Sequence, residues 1–249
     1  MNMPSPFTPT EDGPGPGSRA RWGVVVVFAI AMAYLESATV LYLRTLGNRI
    51  DPHQAPALPS AIDFGLTEII REAATMVMLA TVGWLAGRNF RARFGFFLIA
   101  FGVWDIFYYV FLKPLTGWPR SLLDWDVLFL IPLPWWGPVL APMCIAFLMV
   151  VYGTLLSQFE PPPSGAGSNW RVWLAGLSGM VLALYVFMAD ALRVVGQGRQ
   201  ALENLLPTHF NWTLFLLALA LMAVPILATS RRIWGQRQPP APICELPSP

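Results

Sequence analysis

The chain has 249 residues, 55% of them hydrophobic and only 12% charged, and its 16 basic and 14 acidic residues leave a formal charge of +2. A soluble domain carries about 25% charged residues, so this composition, with a mean hydropathy of +0.54, excludes a disordered chain, a coiled coil and an ordinary water-soluble enzyme. The near-neutral balance also lacks the basic footprint of a nucleic-acid binder, which leaves an all-α, polytopic membrane helical bundle whose first partner is the lipid bilayer.

Residues 1–18 are rich in Pro, Gly, Ser and Thr and cannot bury apolar surface, so 1–21 reads as a disordered tail. The apolar run that opens at Trp22 is longer than 20 residues, too long for a signal-peptide core, and is expected to be a retained membrane helix. A bilayer core needs about 20 apolar residues per helix, and the sequence offers six such stretches, at 22–43, 65–86, 94–112, 136–157, 172–194 and 211–230. Ser60 and Asp63 form an S-x-x-D capping signature, which starts the second helix earlier. Residues 128–142 read LFLIPLPWWGPVLAP, with Pro132, Pro134, Pro138 and Pro142. Proline removes an amide donor and breaks helices, so this Pro/Trp-rich piece is expected to lie in the interface or to dip in and return before helix four. Asn211 or Thr208 is placed to cap the last span. Residues 231–249 form a second, Pro-rich tail.

Orientation follows from the basic residues. With the N-terminus cytoplasmic, nine arginines fall inside (Arg19, Arg21, Arg88, Arg91, Arg93, Arg171, Arg231, Arg232 and Arg237). Six basic residues fall outside (Arg44, Arg49, Lys113, Arg120, Arg193 and Arg199). The loop 87–93 alone carries three arginines. Both termini are therefore expected in the cytoplasm, in the inner membrane if the cell is prokaryotic, and the tryptophans gather near the two boundaries as interfacial anchors do. Cys144 and Cys244 make neither a disulfide framework nor a CxxC site.

The chemistry is expected where charge enters the membrane. Glu36 falls in the first span, Glu68, Arg71 and Glu72 in the second, Asp105 in the third and Asp190 in the fifth. Charged groups there are costly, so they face the bundle and find partners. Counted from the expected helix ends at 1.5 Å per residue, Glu36, Glu72 and Asp105 all lie roughly 10 Å below the outer surface. Glu68, Glu72 and Thr75 share one helical stripe, as do Gly102, Asp105 and Tyr109, and Ala29, Ala33 and Glu36. Glu36, Glu68, Glu72 and Asp105 against the counter-charge Arg71 leave an excess of negative charge, which requires bound protons or a cation. Tyr108, Tyr109, Asp126 and His209 are supporting polar candidates on the same side, with Asp51, His53 and Asp124 in the loops. The plainer alternatives are an ion-pair knot for Glu68, Arg71 and Glu72, a helix-to-helix hydrogen bond for Glu36 and Asp105, and an i, i+3 pair for Asp190 and Arg193.

No H-E-x-x-H motif, nucleophile elbow or phosphate loop is present. The segments REAAT at 71–75 and WDIFYY at 104–109 stand out but point to no activity. Three functional classes stay open: a proton- or cation-coupled carrier using the carboxylate cluster, a non-catalytic accessory or assembly subunit of a membrane complex, and a metal-dependent enzyme acting on a lipid-like substrate. The only cofactor that enters is a divalent cation, in the carrier or the enzyme.

Overall fold

The computed structural model describes residues 17–46, 62–159, 170–207 and 209–235. The elements are helices α1 (Gly17–Leu46), α2 (Ile62–Ala86) and α3 (Phe90–Thr116), strands β1 (Trp125–Val127) and β2 (Trp136–Pro138), and helices α4 (Leu140–Gln158), α5 (Trp170–Val194), the short α6 (Arg199–Glu203) and α7 (Trp212–Gly235). Six described helices (α1 to α5 and α7) are long and apolar enough to cross a membrane. All six expected apolar stretches are helical, with shifted ends. Residues 1–16 and 236–249, most of both expected tails, lie outside the described residues, as do Ser60, Asp51, His53 and Thr208.

Helix α3 is the centre of the bundle. It packs most extensively on α4 and α1, and then on α2, and it is the one spanning helix with more than half of its most apolar stretch buried. Small residues permit this close approach. A Cβ added at Gly102 would meet the Ala146 carbonyl oxygen at 2.5 Å, and one at Gly95 would meet that of Gly153 at 2.8 Å. The helix also outruns its expected span at both ends, because its ends are capped. The Asn89 side chain accepts from the Ala92 amide at 2.9 Å, and Gly117 closes the far end in the left-handed region at φ 73°, its amide bonding to the Lys113 carbonyl. Helices α5 and α7 form a second pair, tied to the first group through α4. Asn211 caps α7 as expected, accepting from the Leu214 amide at 3.1 Å.

The Pro/Trp-rich segment departs from the expected boundary. Helix four was expected from 136, but Trp136–Pro138 is a strand, antiparallel to β1 with Asp126 opposite Gly137, and α4 begins only at Leu140. Prolines at 132, 134 and 138 leave an i→i−4 ladder without donors here, whereas extended backbone keeps the amides that remain paired. Leu128 and Trp135 donate to the carbonyls of Trp135 and Phe129, both at 2.8 Å, while Val139 and Leu140 donate to Asp124 and Leu122.

This hairpin descends along α3. Phe129 at its tip packs on Phe101 and Trp104, with ring centroids 6.3 and 6.5 Å away, and Trp135 stacks on Phe187 of α5 at 6.4 Å. Trp104 lies twelve residues before Thr116, about 18 Å down a helix of 1.5 Å rise. Among the described residues α5 has no close backbone approach to α2 or α3, and the hairpin tip fills the space between them. Replacing Gly102 with Leu should lower stability by about 1–3 kcal/mol through overpacking, read as a lower thermal unfolding temperature in detergent. Gly23→Leu, where nothing lies within 4 Å of the added Cβ, should not lower it.

Candidate intramembrane carboxylate site

Helix α2 supplies the site because the polar stripe described on it is buried and reaches α1 and the hairpin. Glu68, Glu72 and Thr75 recur at i, i+4 and i+7, and all three are buried. Arg71 flanks the stripe and is the hub. Its Nη1 pairs with Glu36 Oε1 of α1, and its Nε and Nη2 both donate to Glu68 Oε2, at 3.0 and 2.8 Å. The Thr75 hydroxyl donates to Glu36 Oε2 at 3.5 Å. The three charged side chains are 11–24% exposed, a setting in which a guanidinium fork holds two carboxylates with little screening.

Glu72 turns to a different partner. Its two carboxylate oxygens accept from the Leu130 amide at the hairpin tip, at 2.9 and 3.2 Å. A buried backbone amide must find an acceptor inside the protein, and Glu72 supplies one for Leu130. Glu36 is ten residues from Leu46 and Glu72 ten from Ile62, so both lie about 15 Å from the helix ends. The longer helices make the cluster deeper than the sequence count.

A second polar group lies beside it. Asp126 of β1 is 3% exposed. One of its oxygens is 3.3 Å from Arg44 Nη2, and the other accepts from the Tyr109 hydroxyl at 3.1 Å. The Arg44 guanidinium also lies over the Trp118 ring, 4.4 Å from its centroid. Asp105 is 9% exposed and has no hydrogen bond or ion pair to Glu36, Glu68, Glu72 or Arg71. Tyr108 links the two groups. Its carbonyl accepts from Ser37, the residue after Glu36, at 2.9 Å, and its ring meets that of Tyr109 edge-on at 4.9 Å.

The expected residues therefore divide. Glu36, Glu68, Arg71 and Glu72 come together, Tyr109 and Asp126 join a neighbouring group, and Asp105 is buried without a hydrogen bond to either. His209 is exposed in the segment before α7 and touches neither. Asp190 and Arg193 form the i, i+3 pair at 2.7 Å, and Asp124 accepts from the Arg120 amide in its own loop. Arg44 and Ser37 enter the site unexpectedly. Arg44 counted as a loop charge, yet it follows Glu36 at i+8 along one helical stripe, a spacing that would have drawn attention to it. Among the described residues no group of three or more His, Cys, Asp or Glu side chains is placed to hold a metal ion. No protein-family model, curated protein or solved structure matches the chain, so the geometry carries the functional reading.

Removing one partner of a buried ion pair costs about 3–5 kcal/mol, because the other charge is left uncompensated. Arg71→Met should therefore destabilise the protein by an amount of that order in thermal unfolding. Adding Glu36→Gln and Glu68→Gln to it should recover part of the loss. Additive losses would show that the pairing carries no coupling energy.

Proposed function

We propose that this multi-pass membrane protein is a proton-coupled carrier in which Glu36, Glu68 and Glu72, set around Arg71, take up and release protons. The observation that carries the reading is the Glu72 carboxylate on the Leu130 amide. It ties the charge of the cluster to a hairpin that fills the space between α5 and the α2–α3 pair. Three carboxylates against one guanidinium leave two negative charges if all are ionised, and protons relieve that excess with no ligand set beyond the carboxyls themselves.

A mechanism follows from the geometry. With Glu72 ionised, its oxygens hold the Leu130 amide and the hairpin stays seated. Protonation weakens that charge-assisted hydrogen bond and frees the tip to shift along α3. Protonation of Glu72 leaves Arg71 paired with Glu36 and Glu68, so the element moved by this step is the hairpin and not the α1–α2 contact. Discontinuous segments at membrane depth play this part in many carriers.

The reading sets both termini in the cytoplasm and opens the site to the opposite face, so a reporter that is active only outside should be silent when fused after Arg237 and active when inserted between Arg120 and Asp124. The reverse pattern would invert the topology. For function, purified protein in liposomes carrying an internal pH dye should pass protons down an imposed gradient. Glu72→Gln should reduce that flux to the protein-free level while thermal unfolding stays near wild type. Wild-type flux in the folded variant would reject the role of Glu72.

A further inference from the structure

We infer that the turn between α2 and α3 binds the headgroup of an anionic phospholipid, with Arg88 and Arg93 on its phosphate and Leu85 and Phe90 against its acyl chains. Residues 84–93 read WLAGRNFRAR, three arginines with no Asp or Glu. Neighbouring helices bring their own contacts to this turn. Arg21 of α1 donates to the Ala86 carbonyl at 3.1 Å, and Arg91 donates to the Phe159 carbonyl, just past the end of α4, at 2.6 Å. Four guanidinium groups therefore gather around one short loop.

Arg93 is held in place before any ligand arrives. Its guanidinium lies over the Trp84 ring, 3.7 Å from the centroid, and its Nε donates to the Gly87 carbonyl at 3.2 Å. Those contacts use one face and one nitrogen. Nη1 and Nη2 make no hydrogen bond or ion pair with the described residues, and they keep the fork with which arginine meets a phosphate. The backbone beneath is equally fixed. The Gly87 amide donates to the Gly83 carbonyl at 3.1 Å, a Cβ at Gly87 would fall on the Arg93 backbone, and Asn89 caps α3. A guanidinium locked in this way loses little freedom on binding. Arg88, in the same turn, is exposed and has no ion pair among the described residues.

The occupant follows from the surroundings. The apolar stretch Leu66–Ala86 ends at this turn and Phe90–Thr116 begins after it, so in a bilayer the turn stands at headgroup level. Leu85 and Phe90 are each 78% exposed, and Trp84 is exposed beside them, a setting that suits acyl chains and the interface better than water. Arginines at this level draw anionic headgroups by charge, whereas a choline headgroup would bring a cation of its own among them. No residue of the carboxylate site takes part, so the inference stands whether or not the protein carries protons and whichever way it is inserted.

The test is native mass spectrometry of the full chain, freed of lipid in detergent and titrated with phosphatidylglycerol or with phosphatidylcholine of the same acyl chains. Phosphatidylglycerol should bind more tightly. Arg88→Gln should weaken its binding about fivefold, and Arg88→Gln with Arg93→Gln about 30-fold, with thermal unfolding of the single variant near wild type. Arg231→Gln with Arg232→Gln removes the same charge from the last turns of α7 and should leave the affinity near wild type. Equal affinity for the two lipids overturns the inference. So does an equal loss in the α7 variant, which would mark diffuse attraction without a site. Displacement of the lipid by inorganic phosphate at equal concentration also overturns it, because the turn would then hold a free anion.

Discussion

A guanidinium inside an apolar bundle must be paired, and the placement of Arg71 organises much of what surrounds it. An isolated charge at such depth costs several kcal/mol, so α1 and α2 meet where Glu36 reaches Arg71 although they share little other contact. Glu68 closes the guanidinium from the same helix. With Arg71 engaged by two carboxylates, Glu72 is left to another donor, and the donor it finds is a backbone amide of the hairpin. The hairpin is thereby part of the ionic site and not a cover laid over it.

The hairpin answers a second constraint. Proline at 132, 134 and 138 denies this segment a helix, yet its apolar residues belong in the bundle. A short antiparallel ladder satisfies the amides at its base, Glu72 satisfies one at its tip, and aromatic rings from α3 and α5 fill the remaining space. Among the described residues it joins α5 to the α2–α3 pair, which α5 does not approach closely itself. A segment with this role is well placed to transmit a change of charge at Glu72 or Asp126 to the packing of α5 against the rest.

Much of the site was legible because polar residues in an apolar chain are few and helical spacing is regular. Glu68, Glu72 and Thr75 on one stripe, with Arg71 beside them, follow from the 3.6-residue period, and all but the half-buried Arg71 are buried as that stripe requires. The i, i+3 pair of Asp190 and Arg193 and the Asn211 cap follow from equally local rules. Arg44 was not expected in the site, for a physical reason. A charge near a helix end suits water as well as a buried partner, and only the position of Asp126 on β1 decides between them. The equal depth of Glu36, Glu72 and Asp105 suggested one cluster, but depth fixes height along the bundle and not which neighbour a side chain faces.

The sequence by itself determined six helices long and apolar enough to cross a membrane, the scarcity of charge and the faces on which the charges lie, because hydropathy and helical period are properties of contiguous residues. Tertiary structure alone decided that Glu36 and Glu68 share Arg71, that Glu72 holds Leu130, and that Asp126 takes Arg44 and Tyr109. Those choices depend on which helices approach and on the path of an irregular, proline-broken segment between them. Partners far apart in the chain are fixed by packing and by the need to satisfy buried charge, neither of which a local pattern encodes.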